Sequence, residues 1–363
     1  MTNPLLSGIR ILDLSRLLPG PFCTLYLAQL GAEVIKIEEP NGGDYARSLS
    51  AEMFALINRN KKSITLDLRL PADQEKFHAM VKGADVVLES FRPGVMDRLN
   101  CGYEKLRALN PRIVYAALTG YGQDGPYRDR AGHDMNYLGY AGALDQTGTA
   151  GGAPAPSNFQ IADLAGGALT CAIGILAAVI GARASGHGTF VDVGMHDGSL
   201  ALQAVALGTL RTFGKSLPRG ADMLTGALPN YSIYQAGDGK YVALGALEPK
   251  FFAKFCSEVG RPELAKKPVA PGASAEVLRA EIAAIFRTKT RDEWDALLAD
   301  KDCCCSGIYA PDELAQNPQV VARRLIEQVG GKPAYAMPIK FSHATLPAST
   351  PAPKLGADNK SYL

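Results

Sequence analysis

Residues 9–38 read IRILDLSRLLPGPFCTLYLAQLGAEVIKIE. Ile9 to Leu14 is a short apolar run of the kind that forms a buried strand. The turn SRLLPGP follows, with Pro21 suited to a first helical position. PFCTLYLAQLG reads as a helix capped at Gly31, and EVIKIE as the next strand. This β-α-β unit seeds a parallel sheet. The rhythm continues with SITLDL (63–68), a helix from Ala72 to Val81, DVVLES (85–90), a helix near Tyr103–Leu109 and then IVYAALTG. TFVDVGM (189–195) feeds a further helix to about Thr212. Strands rich in Val and Ile without alternation suit a sheet covered on both faces. The fold class is therefore α/β, with a Rossmann-like parallel sheet.

The turn after the first strand excludes one ligand class. It is not G-x-G-x-x-G, and its proline ring would block the close backbone approach that a pyrophosphate needs. A nicotinamide cofactor is not expected, and a P-loop is absent too.

Beyond residue 212 the character changes. Residues 213–228 read as a linker, and YSIYQAGDGKYVALGAL as a β-hairpin turning at Gly237-Asp238-Gly239. Helices follow in PKFFAKFCSEVG, AEVLRAEIAAIFRT and RDEWDALLAD. The expected organisation is a large domain over 1–212, a smaller α+β domain over 229–310, and a return segment over 311–363 that packs on the large domain.

The chain of 363 residues is 47% hydrophobic and 20% charged, a soluble globular balance. A net charge of +2 argues against a nucleic-acid partner, which would call for a basic stripe. The seven cysteines are scattered and lack zinc-ribbon spacing, so no metal site is expected. Reduced thiols suit a cytoplasmic protein, and three adjacent cysteines, Cys303–Cys305, suit a core or turn role. The N-terminus lacks the pattern of a signal peptide. Leu164–Ala182 is uncharged and nearly long enough for a bilayer, but its four glycines and its α/β flanks point to a buried helix. No membrane partner is expected.

Proton-carrying groups concentrate in DRAGHDMNYLGYAGALDQTGTAGGAPAPSNFQIADLAGG (129–167). His133 is a candidate acid or base, and Asp134 a cap for the helix MNYLGYAG. Asp163 opens a helix whose dipole would hold it ionised. The LAGG that follows would leave backbone N–H groups free for an oxyanion. Glu248, before Pro249, would fix the His133 tautomer. Arg59, Lys61 and Lys62, in the run NRNKK, could clamp a phosphate-bearing ligand. Arg92 follows a strand's C-terminal end, the edge where open sheets bind ligands.

These pieces resemble the family III CoA-transferase superfamily of CaiB/BaiF type. The resemblance rests on LSGIRILDLSRLLPGP, LGAEVIKIEEP, NRNKKSITLDL, DVVLESFRPGVMDRL, YAALTGYGQDGPY and IADLAGG, and it spans nearly the whole chain. AGHDMNY, ADLAGG and ALEPKF look like its α-methylacyl-CoA racemase branch. The resemblance implies that His133 and Asp163 face each other across the α-carbon of an acyl-CoA thioester, with Glu248 paired to His133. It places Arg92 near the thioester, Tyr137, Asn158 and Tyr231 around the pocket, and Arg59, Lys61 and Lys62 at the CoA phosphates. It further implies an interlocked homodimer and no cofactor beyond the coenzyme A of the substrate. The alternative is an acyl-CoA:carboxylate CoA-transferase with Asp163 as nucleophile. Glu39 departs from the pattern, because racemase relatives can carry a basic residue before the proline of KIEEP.

Overall fold

Arg10–Asp13 (β1), the helix Pro19–Gln29 and Glu33–Glu38 (β2) follow one another as the sequence predicts. The computed structural model describes residues 4–363. Lys62–Thr65 (β3), Val86–Glu89 (β4), Val114–Thr119 (β5) and Phe190–Gly194 (β6) complete a six-stranded sheet in the order β3-β2-β1-β4-β5-β6. All of its pairings are parallel. The order reverses between β1 and β4, the place where such sheets open a crevice for a ligand.

Both faces of this sheet are covered. Alternate strand residues point to opposite sides, so Ile11, Val34, Leu88 and Ala116 enter one apolar core while Leu12, Ile35, Val87 and Ala117 enter the other. The first core packs on Leu27, Ile175 and Val179, and the second on Phe77, Val81 and Leu106.

The chain forms two compact units. One comprises residues up to Leu144, Ser157–Ala204 and Ala322–Leu363; the other comprises Asp145–Pro156 and Val205–Val321. The expected boundaries shift accordingly. The loop 145–156 joins the second unit, and so does the helix Ala204–Phe213 from Val205 onward, well before residue 213. The return to the first unit begins at Ala322 rather than at 311. Arg219 accounts for the loop. Its guanidinium reaches Asp145 Oδ1 at 2.9 Å and the carbonyls of Asp145 and Gly152.

In the second unit Tyr231–Gln235 (β7) and Tyr241–Gly245 (β8) pair antiparallel, as the hairpin reading predicts, and Cys305–Gly307 (β9) adds a third strand. Helices Pro249–Glu258, Ala273–Phe286 and Arg291–Leu298 supply Phe252, Phe255, Leu278, Phe286 and Trp294 to its core. Cys303 and Cys305 are buried there, consistent with a core role, while Cys304 is exposed.

One expectation is corrected. The uncharged stretch Leu164–Ala182, inside the helical span Ala162–Ser185, is not buried all round. It crosses over between β5 and β6, burying Cys171, Ile175, Val179 and Ala182, but Ile173 and Ile180 are 69% and 70% exposed. A crossover helix has only one sheet to lean on.

Candidate active site

The cavity lies at the C-terminal edge of the parallel sheet, where the turns after β1, β4 and β5 converge. It holds about 710 Å³, and His133 and Asp163 both line it. Arg92 and Tyr137 line it as well, so four of the ten residues expected at the site share one hollow.

His133 is exposed at the head of the helix Asp134–Tyr140, with extended backbone. Its N–H donates to Asn136 Oδ1 at 3.0 Å, and its carbonyl accepts the N–H groups of Asn136 and Tyr137. The turn before it admits only glycine: a Cβ at Gly132 would stand 2.8 Å from Tyr137 Cε1 and 2.9 Å from Tyr121 Oη. The Tyr137 hydroxyl donates to the Gly132 carbonyl, and burial, then the Asp163 carboxylate, push it well above its ordinary range. Tyr137 thus fixes the turn that presents the imidazole.

Asp163 sits in a π-helical stretch, Ala162–Leu169, that runs into the helix Thr170–Ser185. Such widened turns recur at functional sites. Here the widening accompanies very close backbone packing: a Cβ on Gly198 would lie 1.9 Å from the Gly166 carbonyl oxygen. Gly166 and Gly167 are buried by this packing, and the Leu164 N–H donates to the Gln160 carbonyl at 2.9 Å, so that donor of LAGG is not free for an oxyanion.

Two further expectations about this stretch change. Asp134 does not cap its own helix; its Oδ1 accepts the N–H groups of Ala162 at 2.7 Å and Asp163 at 3.0 Å. Nor is Asp163 held ionised by the helix dipole. Burial, reinforced by the Asp134 charge, pushes its carboxyl up to about 7. Desolvation in a partly closed cavity outweighs a half-charge at the helix end.

The basic run is not at the cavity. Lys61 is fully buried, its ammonium 3.2 Å from Asp13 Oδ2 and 2.9 Å from both Asn58 Oδ1 and the Pro21 carbonyl. Arg59 is buried against the carbonyls of Leu56 and Tyr335. Lys62 is exposed and reaches Asp358 at 3.7 Å. The run ties the sheet to the C-terminal segment, and the expected phosphate clamp at Arg59 and Lys61 does not form. Asn158 is exposed in a loop of the first unit, outside the residues that line the cavity. Tyr231 and Glu248 belong to the second unit. Glu248 is exposed at the head of the helix Pro249–Glu258.

In place of that run, Arg16, Arg128 and Arg130 join Arg92 around the cavity. The Arg16 guanidinium lies 4.9 Å from the Tyr45 ring centre and 5.0 Å from that of Phe91, and it donates to the Tyr45 hydroxyl at 3.0 Å. Arg130 stacks on Tyr127 at 3.9 Å and donates to the Tyr140 hydroxyl at 3.0 Å. Leu17 beside Arg16 has a left-handed backbone, φ 63°, held by Asp44 Oδ1 at 2.9 Å from its N–H. A non-glycine residue there stores strain, a common feature of ligand sites. Arg16 was legible as the residue after a strand end, by the same rule that singles out Arg92. Arg128 and Arg130 lie just before the AGHD motif and carry no spacing signal of their own.

Apart from Asp163, no carboxylate lines this cavity among the described residues. Four guanidinium groups and a single acid with its proton near neutrality make a hollow suited to a polyanion. The cavity also offers an imidazole and a carboxyl for proton transfer.

Known proteins resemble this chain along most of its length. The human α-methylacyl-CoA racemase is 33% identical over 99% of this chain and 92% of its own length. The succinyl-CoA–D-citramalate CoA-transferase of Chloroflexus aurantiacus is 34% identical over 88% of this chain and 82% of its own. A CaiB/BaiF family protein from Brucella suis superposes with a TM-score of 0.88 at 31% identity, covering 99% of this chain and 98% of that one. The sequence matches the family described as CoA-transferase family III over residues 6–359, and the chain belongs to that family.

Proposed function

We propose that the protein is an acyl-CoA racemase that epimerises the α-carbon of 2-methyl-branched acyl-CoA thioesters. The observation that carries the reading is that His133 and Asp163 both line one arginine-lined cavity, the carboxyl poised near 7. A thioester α-proton is a weak acid, and inversion requires its loss and return on opposite faces. A group titrating near the working pH serves as acid or base with equal ease, which is worth about 10²–10⁴-fold. One of the pair takes the proton as the C–H bond breaks and the enolate forms; the other delivers a proton to the far face.

The enolate oxygen rests on the N–H groups of Asp134 and Met135 at the head of the helix Asp134–Tyr140, since those of Asn136 and Tyr137 are taken by the His133 carbonyl. Arg16, Arg92, Arg128 and Arg130 hold the phosphates of coenzyme A, which enters as part of the substrate; no other cofactor is required. Glu248 pairs with His133 of a second copy in an interlocked homodimer, in the cytoplasm. The exposed Leu169, Ile173, Ile180, Leu200 and Leu202 support such an assembly, because large apolar side chains in this number favour a partner over water.

Incubation of a 2-methylacyl-CoA in D₂O tests the reading. The α-hydrogen exchanges and the stereocentre scrambles with no second substrate, and His133→Ala or Asp163→Ala abolishes both. Absence of exchange on every branched acyl-CoA would refute it. The second reading, an acyl-CoA:carboxylate CoA-transferase, is favoured by relatives such as the acetyl-CoA:oxalate CoA-transferase of Acetobacter aceti, 33% identical over 96% of this chain. It demands a hydroxylamine-trappable anhydride on Asp163 and a carboxylate acceptor.

A further inference from the structure

Glu89 closes β4 at the sheet edge that builds the cavity, yet it does not line the cavity itself. The residue is 4% exposed. Oε2 accepts the Phe91 N–H at 2.6 Å, and the Tyr115 hydroxyl on the neighbouring β5 lies near the carboxyl. Among the described residues no lysine or arginine pairs with it. The charged groups that face it are Asp97 and Asp192, both acidic.

What this carboxyl holds is the wall of the site. Ser90, Phe91 and Arg92 follow directly and all line the cavity. Ser90 Oγ accepts the Arg16 N–H at 3.1 Å, and the Phe91 ring lies against the Arg16 guanidinium. One hydrogen bond inside the protein thus sets the turn on which two of the four cavity arginines depend.

We propose that Glu89 is a positioning residue for the ligand: its carboxyl fixes the Ser90–Phe91–Arg92 turn, and through Phe91 the Arg16 guanidinium. The proposal rests on the reading that this cavity takes coenzyme A. Burial, with Asp97 and Asp192 nearby, pushes the carboxyl up to about 8, so the group that holds the turn at neutral pH is the neutral acid. Loss of the proton strengthens the bond from Phe91, but the larger cost of a desolvated anion beside two others drives the carboxylate toward water and loosens the turn.

Calorimetric titration with coenzyme A from pH 6.5 to 9, together with amide-exchange protection at Phe91, tests this. The wild type weakens above about pH 8. Glu89→Gln, neutral at every pH and still an acceptor for the Phe91 N–H, binds within about threefold of the wild type at pH 7 and stays flat to pH 9. Glu89→Ala binds about tenfold more weakly, the loss expected of one buried hydrogen bond, and loses Phe91 protection. A merely structural role would lower the melting temperature of both variants and leave the affinity profile unmoved. Glu89→Ala with wild-type affinity, or Glu89→Gln with the wild-type pH dependence, would overturn the proposal. Failure of the wild type to bind coenzyme A would instead remove the underlying reading. Phe91 protection, which needs no ligand, then decides the role of Glu89: unchanged protection in Glu89→Ala overturns it.

Discussion

Asp134 Oδ1 accepts the backbone N–H of Asp163 at 3.0 Å, so the residue next to His133 in sequence anchors the carboxyl that shares its cavity. The same oxygen takes the Ala162 N–H at 2.7 Å. One carboxylate therefore fixes the start of the helix that carries Asp163 and, through its own charge, raises the Asp163 carboxyl.

Replacing Asp134 separates those two effects. Asp134→Asn keeps an acceptor for both N–H groups but removes the charge, so the Asp163 carboxyl falls back toward the usual carboxylate range. The acid limb of the kcat/KM profile for α-proton exchange then moves to lower pH, with kcat reduced by less than about tenfold. Asp134→Ala loses the anchor as well and costs about tenfold or more. Identical pH profiles for Asp134→Asn and wild type would show that the charge has no part in tuning Asp163.

Asp163→Asn trades activity for stability. The carboxyl is raised from 3.8 to about 7 in the fold, so folding disfavours its charged form. The wild type has its full relative stability below pH 3.8 and loses it as pH rises through 7. Asn carries no such cost. At pH 8 the variant is more stable by about 1–3 kcal/mol, while at pH 4 the two are alike. Exchange activity is lost at both. Thermal melts at the two pH values check the sign.

The lysines of the basic run behave oppositely to a phosphate clamp. Lys61→Met leaves Asp13 buried beside Lys36 alone, without the ammonium 3.2 Å from its Oδ2. It destabilises the protein by about 3–5 kcal/mol. Arg16→Ala and Arg92→Ala leave the melting temperature within about 1–2 °C and raise the KM for acyl-CoA about tenfold or more. Lys62→Ala, an exposed residue, changes neither. Urea denaturation and initial-rate kinetics distinguish the three behaviours.

Gly198→Ala tests the packing under Asp163. The new methyl would stand 1.9 Å from the Gly166 carbonyl oxygen, which is backbone and cannot swing aside. The helix Met195–Ala201 and the π-helical stretch must move apart, and displacement of that stretch shifts Asp163 relative to the cavity it shares with His133. Exchange activity falls about 10²-fold, as expected for a displacement near 1 Å, and stability falls with it. Gly208→Ala, where open space surrounds the glycine, serves as the neutral control.

The sequence by itself determined the sheet and half of the site. Its apolar runs and turn residues are local signals, so β1 to β6, the hairpin of the second unit and the three helices that fill its core were legible without coordinates. His133, Asp163, Arg92 and Tyr137 were legible from motif and strand-end position. Only the tertiary structure decided which charges are free. Lys61 reads as a solvated cation until Asp13, 48 positions earlier, is found against it. Glu89 reads as an ordinary acid until the fold buries it, and Asp134 until backbone donors from 28 and 29 positions away converge on it. A side chain's charge state depends on solvent access and on neighbours brought in by the fold, and neither is written in the residues next to it.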